Sequence, residues 1–496
     1  MNILFVYTVS FAPPPPAKPL IDWTEVSFGI SYIASVLERA GHKIQLVVLR
    51  REQFESDIDR VLQDFQPRLL CFTPVATEYS FVEKIAQYFR DTIPQAYYII
   101  GGPHASLQPM EVLKGPFNAV CIGEGEDAVV ELVKFLEKEK QPTLIPNLWI
   151  KQGNSIERNA TRPLIQQLDE IPFPHREMWR PWVDSNIKHS LLLGRGCPFT
   201  CTYCCNHALR KLAAGKYVRF RSPSQVLEEV HWLCEKFPDI SEIYFEVETI
   251  TAKPKWGIEL ADLLEKFNAS RPTPLKFGVN VSVLRKKRLD KLFEALSHAG
   301  FSYINVGIES GSERVRQDIL RRNYTNDDLI TACEDARRVG LSVNAYNLIG
   351  LPGETPEDFQ QTIEINRKCL PDENRLSIFY PYPGTDLHKV CVERGIKLQH
   401  QEDNAERFRA TLGLPEFPNR KIEHYFRWFD FLVYKGKRPL PTLLNEYLWK
   451  TMAAHPRFTR WYRRYTNQGV LFVLKRSLKY LILLFSKKDM VQKSVK

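Results

Sequence analysis

The 496-residue sequence lacks two kinds of segment that would direct it to or across a membrane. No stretch offers about 18 uncharged apolar residues in a row, so we expect no transmembrane helix. The first residues, MNILFVYTVS, contain neither a positively charged region nor a cleavage site of small residues, so we expect no secretory signal. Both absences predict a cytoplasmic protein, in which thiols stay reduced.

The ten cysteines are unevenly distributed, because four of them lie between Cys197 and Cys205. In a reducing compartment such a group indicates metal binding rather than disulfides. The composition, 44% hydrophobic and 25% charged, is ordinary for a soluble globular protein. At about 100–200 residues per domain, the length predicts several domains.

Residues 1–150 alternate short apolar runs with amphipathic stretches, beginning with ILFVY and SFGISYIASVLERAG. This repeated pattern predicts strands that alternate with helices in a doubly wound, Rossmann-like parallel sheet. Ligands of such sheets bind beyond the carboxyl ends of the strands. Residues 151–185 are irregular and spaced by prolines, so we interpret them as a linker.

A second series of strands and helices covers residues 186–400. Its strand candidates are LLLG, EIYFEV, KFGVNV, YINVGIE, VNAYNLIG and RLSIFYPY. Six parallel strands with crossover helices predict a partial TIM-type (β/α)6 barrel, open or closed. Residues 401–496 lose this rhythm and become aromatic and basic, and we expect them to be mostly helical.

The cysteine group follows the first barrel strand with the spacing Cys197-x3-Cys201-x2-Cys204. Thiolates are the ligands of iron–sulfur clusters, and three of them leave one iron of a four-iron cluster open for a substrate. Zinc is an alternative, but it would require a second Cys or Cys/His pair about 12–20 residues further on. A coincidental group of cysteines is the remaining alternative. Cys205 is either a fourth ligand or a spectator, and its position next to Cys204 favours a spectator.

This motif resembles that of the radical SAM superfamily, Cys-x3-Cys-x-aromatic-Cys, with Tyr203 in the aromatic position. The resemblance implies that the three thiolates bind a 4Fe-4S cluster and that the open iron binds the amino and carboxylate groups of S-adenosylmethionine (SAM). The reduced cluster would then cleave SAM to methionine and a 5′-deoxyadenosyl radical. Tyr203 would lie beside the adenine.

Two later strand ends resemble the same family, and a third departs from it. In GIESGSERV, the resemblance implies that Glu309 contacts SAM, and a buried salt bridge is the alternative. In GLPGET, Gly350 and Gly353 would let the backbone approach a ligand, and a plain helix-entry turn is the alternative. In EIYFEVET the family often has two Asp residues after the strand, whereas this sequence has Val247 and Glu248 there. Glu248 is therefore a candidate contact for the SAM amine, with a role that this departure puts in doubt.

The order of the domains resembles that of cobalamin-binding radical SAM enzymes, on the stretches SFGISYIASVLERAGH, IIGGPHASLQP and IGEGE. The resemblance implies that four glycines let cobalamin pack on the backbone: Gly101, Gly102, Gly123 and Gly125. The Asp-x-His-x-x-Gly motif that ligates cobalt in some relatives is missing, which predicts cobalt without a protein histidine. His42 and His104 are expected to form local hydrogen bonds. Some family members keep this domain without binding cobalamin.

The C-terminal end carries most of the formal net charge of +10. In residues 469–488 one helical face would carry Leu471, Leu474, Leu478, Leu481 and Phe485, with Lys475 and Lys479 on another. This pattern is typical of a basic helix that lies on a membrane surface. It predicts peripheral contact with the surface of the inner membrane. The alternative is a helix packed on the barrel with a solvated basic face. No recognition motif supports nucleic-acid binding.

These features predict a radical SAM enzyme that uses cobalamin to transfer a methyl group to an unactivated carbon. The first alternative is a cyclase, oxidase or coupling enzyme with the same cofactors and no methyl transfer. A non-catalytic iron–sulfur electron-transfer protein is the alternative from another class. The expected partners are a small-molecule or lipid-like substrate and an external electron donor.

Overall fold

The computed structural model describes residues 1–9, 18–396, 398 and 407–453. The predicted amphipathic helix at 469–488 lies outside the described residues, as does most of the predicted C-terminal region from 401 onward. Among the helices of the described ranges, none combines the length and apolar character needed to cross a bilayer.

The N-terminal part contains a seven-stranded sheet with the order β2-β1-β3-β4-β5-β6-β7. The strands are β1 (Asn2–Thr8), β2 (Lys43–Leu49), β3 (Leu69–Phe72), β4 (Tyr97–Ile100), β5 (Ala119–Cys121), β6 (Leu148–Gln152) and β7 (Ser155–Arg158). The first five are parallel, whereas β6 and β7 add an antiparallel hairpin at one edge. The predicted parallel sheet is thus confirmed, with the 2-1-3-4-5 order of one common doubly wound fold.

Helices cover both faces of this sheet: α1 (Phe28–Arg39), α2 (Phe54–Asp64), α3 (Tyr79–Thr92), α4 (Pro103–Leu107), α5 (Pro109–Val112) and α6 (Glu126–Glu137). Side chains alternate between the faces of a strand, and β1 shows the consequence. Ile3 and Phe5 belong to the hydrophobic cluster that contains α1 and α6. Leu4 and Val6 belong to the cluster that contains α2 and α3. Burial on both faces explains why ILFVY is apolar without alternation.

The segment interpreted as a linker, 151–185, is folded onto both sheets. Its first residues belong to β6 and β7, because the sheet continues to Arg158. Further along, Arg176 and Trp179 are almost completely buried. The indole of Trp179 donates a hydrogen bond to the Ser31 hydroxyl on α1 at 2.8 Å. The hydrophobic cluster around Trp179 continues from the N-terminal sheet into the second one.

The second part contains eight strands: β8 (Lys188–Leu192), β9 (Gly194–Arg195), β10 (Arg219–Phe220), β11 (Glu242–Glu246), β12 (Lys276–Val281), β13 (Phe301–Glu309), β14 (Ser342–Ile349) and β15 (Glu373–Ile378). Six of them form a parallel sheet with the order β15-β14-β13-β12-β11-β8. Strands β8 and β15 are its two edges, so the predicted six-stranded barrel is an open one. The short strands β9 and β10 pair as an antiparallel ribbon beyond the end of β8.

The remaining helices are α7 (Asn206–Leu209), α8 (Pro223–Lys236), α9 (Pro254–Ala269), α10 (Asp290–His298), α11 (Asn326–Arg338), α12 (Pro356–Cys369), α13 (Asp386–Glu393), α14 (Asn419–Tyr434) and α15 (Leu440–Ala453). Capping boxes set where α11 and α12 begin. The hydroxyls of Thr325 and Thr355 accept from the backbone amides of Asp328 and Asp358, whose carboxylates accept in return. Helices α14 and α15 confirm the predicted helical character of the C-terminal region over the described residues.

Candidate active site

The four clustered cysteines lie on the loop that follows β9 and ends in α7. Two glycines determine the path of the chain into this loop. A side chain at Gly194 or Gly196 would overlap the backbone oxygen of Arg219 or Tyr217, and Gly196 also has a positive φ of 84°. The backbone of the loop therefore approaches the backbone at Tyr217 and Arg219 so closely that only glycine fits at these two positions.

The thiols in this loop have different surroundings. Cys201 is buried, whereas Cys197, Cys204 and Cys205 are partly exposed. The sulfur of Cys204 accepts from the backbone and side-chain amides of Asn206 at 3.5 and 3.6 Å. A hydrogen bond from the Cys205 thiol is the main cause that lowers the pKa of Cys204, to about 7. In contrast, burial raises the pKa of Cys197 to about 12, with a smaller contribution from the Glu248 carboxylate.

This donor set suits an iron–sulfur cluster, since three free sulfurs lie on one short loop and hydrogen-bond donors face two of them. These donors match the cluster in kind and in spacing along the chain but do not converge, because within the described part of the chain no three His, Cys, Asp or Glu side chains form a group that could hold a metal ion. The assignment of Cys197, Cys201 and Cys204 as ligands remains a prediction. Cys205 lies next to Cys204 and lowers the pKa of its thiol, and the role of Cys205 as a spectator stays a prediction.

Arg322 links three of the predicted site residues, although the sequence analysis did not select it. Its Nη1 lies 3.9 Å from the sulfur of Cys201, 3.0 Å from the hydroxyl of Tyr203 and 3.3 Å from Oε1 of Glu309. Its Nη2 donates to the carbonyl of Gly307 at 3.3 Å. These contacts, made by a side chain that is largely buried, hold the cysteine loop against the end of β13.

Glu309 is 8% exposed and has a left-handed backbone conformation, with φ of 61°. Burial raises the pKa of its carboxyl group, and Arg322 partly offsets this effect. The structure thus contains the salt bridge that was the alternative to a SAM contact. The two roles are compatible, since a carboxylate can accept from both Arg322 and a ligand. The contact with SAM stays a prediction.

A second carboxylate, Glu246, was also missed by the sequence analysis. On β11, Ile243 and Phe245 face the hydrophobic core, so Tyr244 and Glu246 lie on the opposite, concave face. Burial, and then the charge of Glu248, raise the pKa of Glu246 to about 7. Glu248 itself is exposed just beyond the strand, near the cysteine loop. The predicted contact of Glu248 with SAM is not tested by these positions.

The concave face of the barrel is polar at the middle of its strands. The side-chain amide of Asn344 donates to Asn305 at 3.1 Å, and that of Asn305 donates to Asn280 at 3.1 Å. The hydroxyl of Tyr244 donates to the same oxygen of Asn280 at 2.6 Å. This ladder crosses the four neighbouring strands β11 to β14 with side chains bonded to one another, so it forms a rigid floor beneath the strand ends.

The turn GLPGET, which follows β14, is closed by Glu354. The backbone amides of Gly350 and Leu351 donate to Oε2 of this carboxyl group at 2.6 and 3.1 Å. Gly350 and Gly353 have positive φ values of 81° and 86°, which explains why glycine is needed there. Because Glu354 occupies two amides of the turn, these amides are not the groups that would face a ligand. The predicted approach of the backbone at Gly350 and Gly353 to SAM stays a prediction.

We expect replacement of Glu354 by Gln to flatten the dependence of stability on pH. Glu354 is fully buried, and burial raises its pKa from 4.5 to about 8. A raised carboxyl pKa contributes stability below pH 4.5 that is lost as pH rises towards 8. Relative to Glu354→Gln, the wild type should therefore lose about 1 kcal/mol of unfolding free energy per pH unit in this window.

Urea unfolding of both proteins between pH 5 and 8 measures this difference. The matched control is Glu357→Gln, an exposed residue three positions further on, in the first turn of α12. Parallel pH profiles for the wild type and Glu354→Gln would contradict the raised pKa.

The predicted cobalamin-binding glycines lie where β4 and β5 end. Gly102 and Gly123 have positive φ values of 92° and 78°. A side chain at Gly101 would contact Cys121, and one at Gly125 would press on Ile33 of α1 at 3.0 Å. Backbone conformation at Gly102 and Gly123 and packing at Gly125 thus favour glycine even without a ligand. Contact of these glycines with cobalamin stays a prediction.

The two histidines considered in the sequence analysis differ in their environments. His42 forms a local interaction, as expected, with its Nδ1 3.4 Å from the N-terminus and 3.4 Å from Glu137. His104 does not: it is buried, and neither ring nitrogen has a hydrogen-bond partner among the described residues. It packs against the ring of Tyr79, with centroids 4.8 Å apart. Burial lowers the pKa of His104, so the imidazole is neutral.

The ends of the two sheets border each other. Helix α4, which follows β4 and the Gly101–Gly102 turn, packs against α7 at the end of the cysteine loop. Leu107 of α4 also lies against Gly384, in the segment between β15 and α13. A ligand held beyond the ends of the N-terminal strands would therefore lie beside the cysteine loop.

Comparison with known families agrees with this arrangement. Residues 24–133 match the family model of the B12 binding domain, and residues 191–365 match that of the radical SAM superfamily. The chain thus contains a B12-binding domain ahead of a radical SAM domain, and it is a radical SAM enzyme. The two domains imply a 4Fe-4S cluster and SAM in the barrel, together with cobalamin in the N-terminal domain.

Two curated proteins and one solved structure illustrate the similarity. An uncharacterized methyltransferase of Pyrococcus horikoshii is 27% identical over 83% of this chain and 88% of its own length. The anaerobic magnesium-protoporphyrin IX monomethyl ester cyclase of Cereibacter sphaeroides is 25% identical over 72% of this chain and 59% of its own length. The radical SAM methyltransferase TsrM of Kitasatospora setae shares the fold, with a TM-score of 0.62 and 16% identity over 79% of this chain and 75% of that one.

Proposed function

We propose that this enzyme transfers a methyl group to an unactivated carbon of a small-molecule substrate, with cobalamin as the methyl carrier. The observation that carries the proposal is the border between the Gly101–Gly102 turn and the cysteine loop, which would bring the two cofactors together. The similarity to a methyltransferase along nearly the whole of both chains supports it.

In this proposal Cys197, Cys201 and Cys204 hold the cluster. Tyr203 and Glu309, which Arg322 orients, contact SAM, with Glu248 near its amino group. When bound, the cofactors supply hydrogen abstraction from carbon and delivery of the methyl group. The protein orients them and excludes water.

The concave face of the barrel suits a substrate that forms hydrogen bonds. Above the asparagine floor lie Glu246 and Glu248 at the end of β11 and Tyr346 on β14. The raised pKa of Glu246, about 7, lets this carboxyl group either donate or accept a proton near neutral pH.

The electron for the cluster is supplied by an external donor protein or reductant in this proposal.

A second candidate function is cyclisation or oxidation without methyl transfer, and the cyclase relative favours it. The two functions differ in the fate of the methyl group of SAM. Anaerobically reconstituted protein is incubated with cobalamin, a reductant, cell extract and SAM that carries a trideuteromethyl group. We expect a product that contains the trideuteromethyl group. Formation of 5′-deoxyadenosine with an unlabelled product would favour the second function.

Binding of cobalamin is tested separately, with hydroxocobalamin and the purified protein. We expect the electron paramagnetic resonance spectrum of the Co(II) form to lack nitrogen splitting from an axial imidazole, because the Asp-x-His-x-x-Gly motif is missing. A clear imidazole triplet would show that a histidine ligates cobalt. His104, whose ring nitrogens have no partner among the described residues, would then be the first to replace.

We also propose peripheral contact of residues 469–488 with the inner membrane surface. The sequence there pairs an apolar helical face with basic residues, each worth about 1 kcal/mol near an anionic surface. The test is flotation with anionic liposomes, for the full chain and for a chain that ends near Asn467. We expect only the full chain to float, and less so at about 1 M salt, where charges are screened. Equal flotation of both chains would contradict the proposal.

A further inference from the structure

A network of ion pairs connects the Gly123–Gly125 turn of the N-terminal domain with the strand that leads into the cysteine loop. Arg195, which ends β9, lies two residues before Cys197. It donates to Oε1 of Glu124 at 2.8 Å and to Oε1 of Glu126 at 2.6 Å. Arg219, on the paired strand β10, lies 3.0 Å from both carboxylate oxygens of Glu124.

The network is buried and balanced in charge. Its four side chains are between 5% and 17% exposed, and two carboxylates face two guanidinium groups. Burial raises the pKa of Glu124, but Arg195 and Arg219 lower it more, so its carboxylate stays ionised. The backbone amide of Ile165 donates to Glu124 at 2.8 Å, and Arg219 donates to the carbonyl of Ile165 at 2.6 Å.

Glu124 is the centre of this network, because it contacts both arginines and the segment that joins the two domains. Loss of one partner of a buried ion pair leaves the other charge without compensation, which is strongly unfavourable. The turn after β5 and the β9–β10 ribbon are therefore held in a single relative position. On one side of the network lie predicted cobalamin contacts, and on the other lies the first predicted cluster ligand.

We propose that Glu124 is a positioning residue that sets the separation between the cobalamin site and the cysteine loop. It would act through Arg195 and Arg219 and touch neither cofactor nor substrate. The identity of the two cofactors rests on the proposed function, whereas the mechanical link between the turn and the loop does not.

The first test is hydrogen–deuterium exchange on the full-length protein, before and after cluster reconstitution. In Glu124→Gln we expect exchange in residues 194–205 to be faster by on the order of tenfold, since the ribbon loses a buried ion pair. The matched control is Glu131→Gln, which removes a half-exposed partner of Arg162 on the neighbouring helix α6. That control should exchange like the wild type in residues 194–205.

The second test is the magnetic coupling between Co(II) cobalamin and the reduced cluster in the reconstituted enzyme. Dipolar coupling falls with the cube of the distance, so a changed separation alters the splitting of the electron paramagnetic resonance signal. We expect an altered or broadened splitting in Glu124→Gln and a wild-type spectrum in Glu131→Gln. A role limited to overall stability would lower the melting temperature without changing this splitting.

Arg219→Lys provides a second variant in case Glu124→Gln does not fold. Lysine keeps the charge but has no counterpart of the Arg219 Nε, which donates to the carbonyl of Tyr217 at 3.2 Å while Nη1 contacts Glu124 and Ile165, so we expect smaller changes in the same direction. Wild-type exchange in residues 194–205 together with wild-type splitting would overturn the proposal. If the wild type shows no splitting because cobalamin is not bound, the proposed function fails, and the exchange experiment alone decides on Glu124.

Discussion

Replacing Cys197, Cys201 or Cys204 by alanine is expected to remove the cluster and, with it, the cleavage of SAM. Each replacement removes one of three thiolates, and a four-iron cluster with two protein ligands is not held stably. Iron should fall from about four per chain in the reconstituted wild type to below about one in each variant. Formation of 5′-deoxyadenosine should disappear in parallel. Iron analysis and chromatography of the reaction measure the two effects.

Cys205→Ala is the informative comparison. Because Cys205 is predicted to be a spectator beside Cys204, this variant should keep its iron and change only the environment of one ligand. Cys234→Ala, a partly exposed thiol on α8, controls for the loss of any accessible cysteine. A cluster that survives in Cys204→Ala and is lost in Cys205→Ala would reverse the ligand assignment.

Replacing Arg322 by glutamine is expected to have the second largest effect. Arg322 and Glu309 are each 11% exposed in their side chains, so the variant leaves a buried carboxylate without its partner. The unfolding free energy should fall by about 3 kcal/mol. SAM binding should weaken too, since Tyr203 and Glu309 lose the group that orients them. Urea unfolding of the protein without cofactors and SAM titration of the reconstituted protein measure these effects separately.

The double variant Arg322→Gln with Glu309→Gln distinguishes this explanation from a general packing defect. Removal of both charges leaves no uncompensated group, so most of the lost stability should return. Losses that simply add in the double variant would show that the ion pair is not the cause. Arg338→Gln, which removes an arginine that is 52% exposed on α11, should leave both stability and SAM binding close to the wild type.

The architecture could be predicted from the sequence because its signals are local. The run ILFVY reads as a strand from a few adjacent residues, since its burial on both faces demands continuous apolar side chains. In YINVGIE, the core residues Ile304, Val306 and Ile308 alternate with residues of the polar concave face, which is the pattern of a strand with one apolar face. The spacing of Cys197, Cys201 and Cys204 is likewise a property of eight adjacent residues. Gly194 and Gly196 directly precede these residues, and the structure shows the backbone approach that makes glycine necessary there.

Other features were missed because their cause lies far away along the chain. Arg322 follows a short π-helix, Val315–Ile319, and nothing near it in the sequence indicates that it reaches Cys201 and Tyr203. The same holds for Glu124 and Arg195, whose contact depends on how two sheets meet. The segment 151–185 looked like a linker because prolines interrupt its pattern, although Trp179 within it is fully buried.

By itself, the sequence determined the classes of element, the parallel character of both sheets and the loop that carries the cysteines, because hydrophobic periodicity and ligand spacing act over short distances. Tertiary structure alone decided the electrostatics of the site. The order of strands brings Glu309 against Arg322, buries Glu354 beneath a turn and joins Glu124 to the ribbon before Cys197. The physical reason is that the energy of a charge depends on its burial and on every neighbour within a few ångströms, and these neighbours are chosen by the fold rather than by position along the chain.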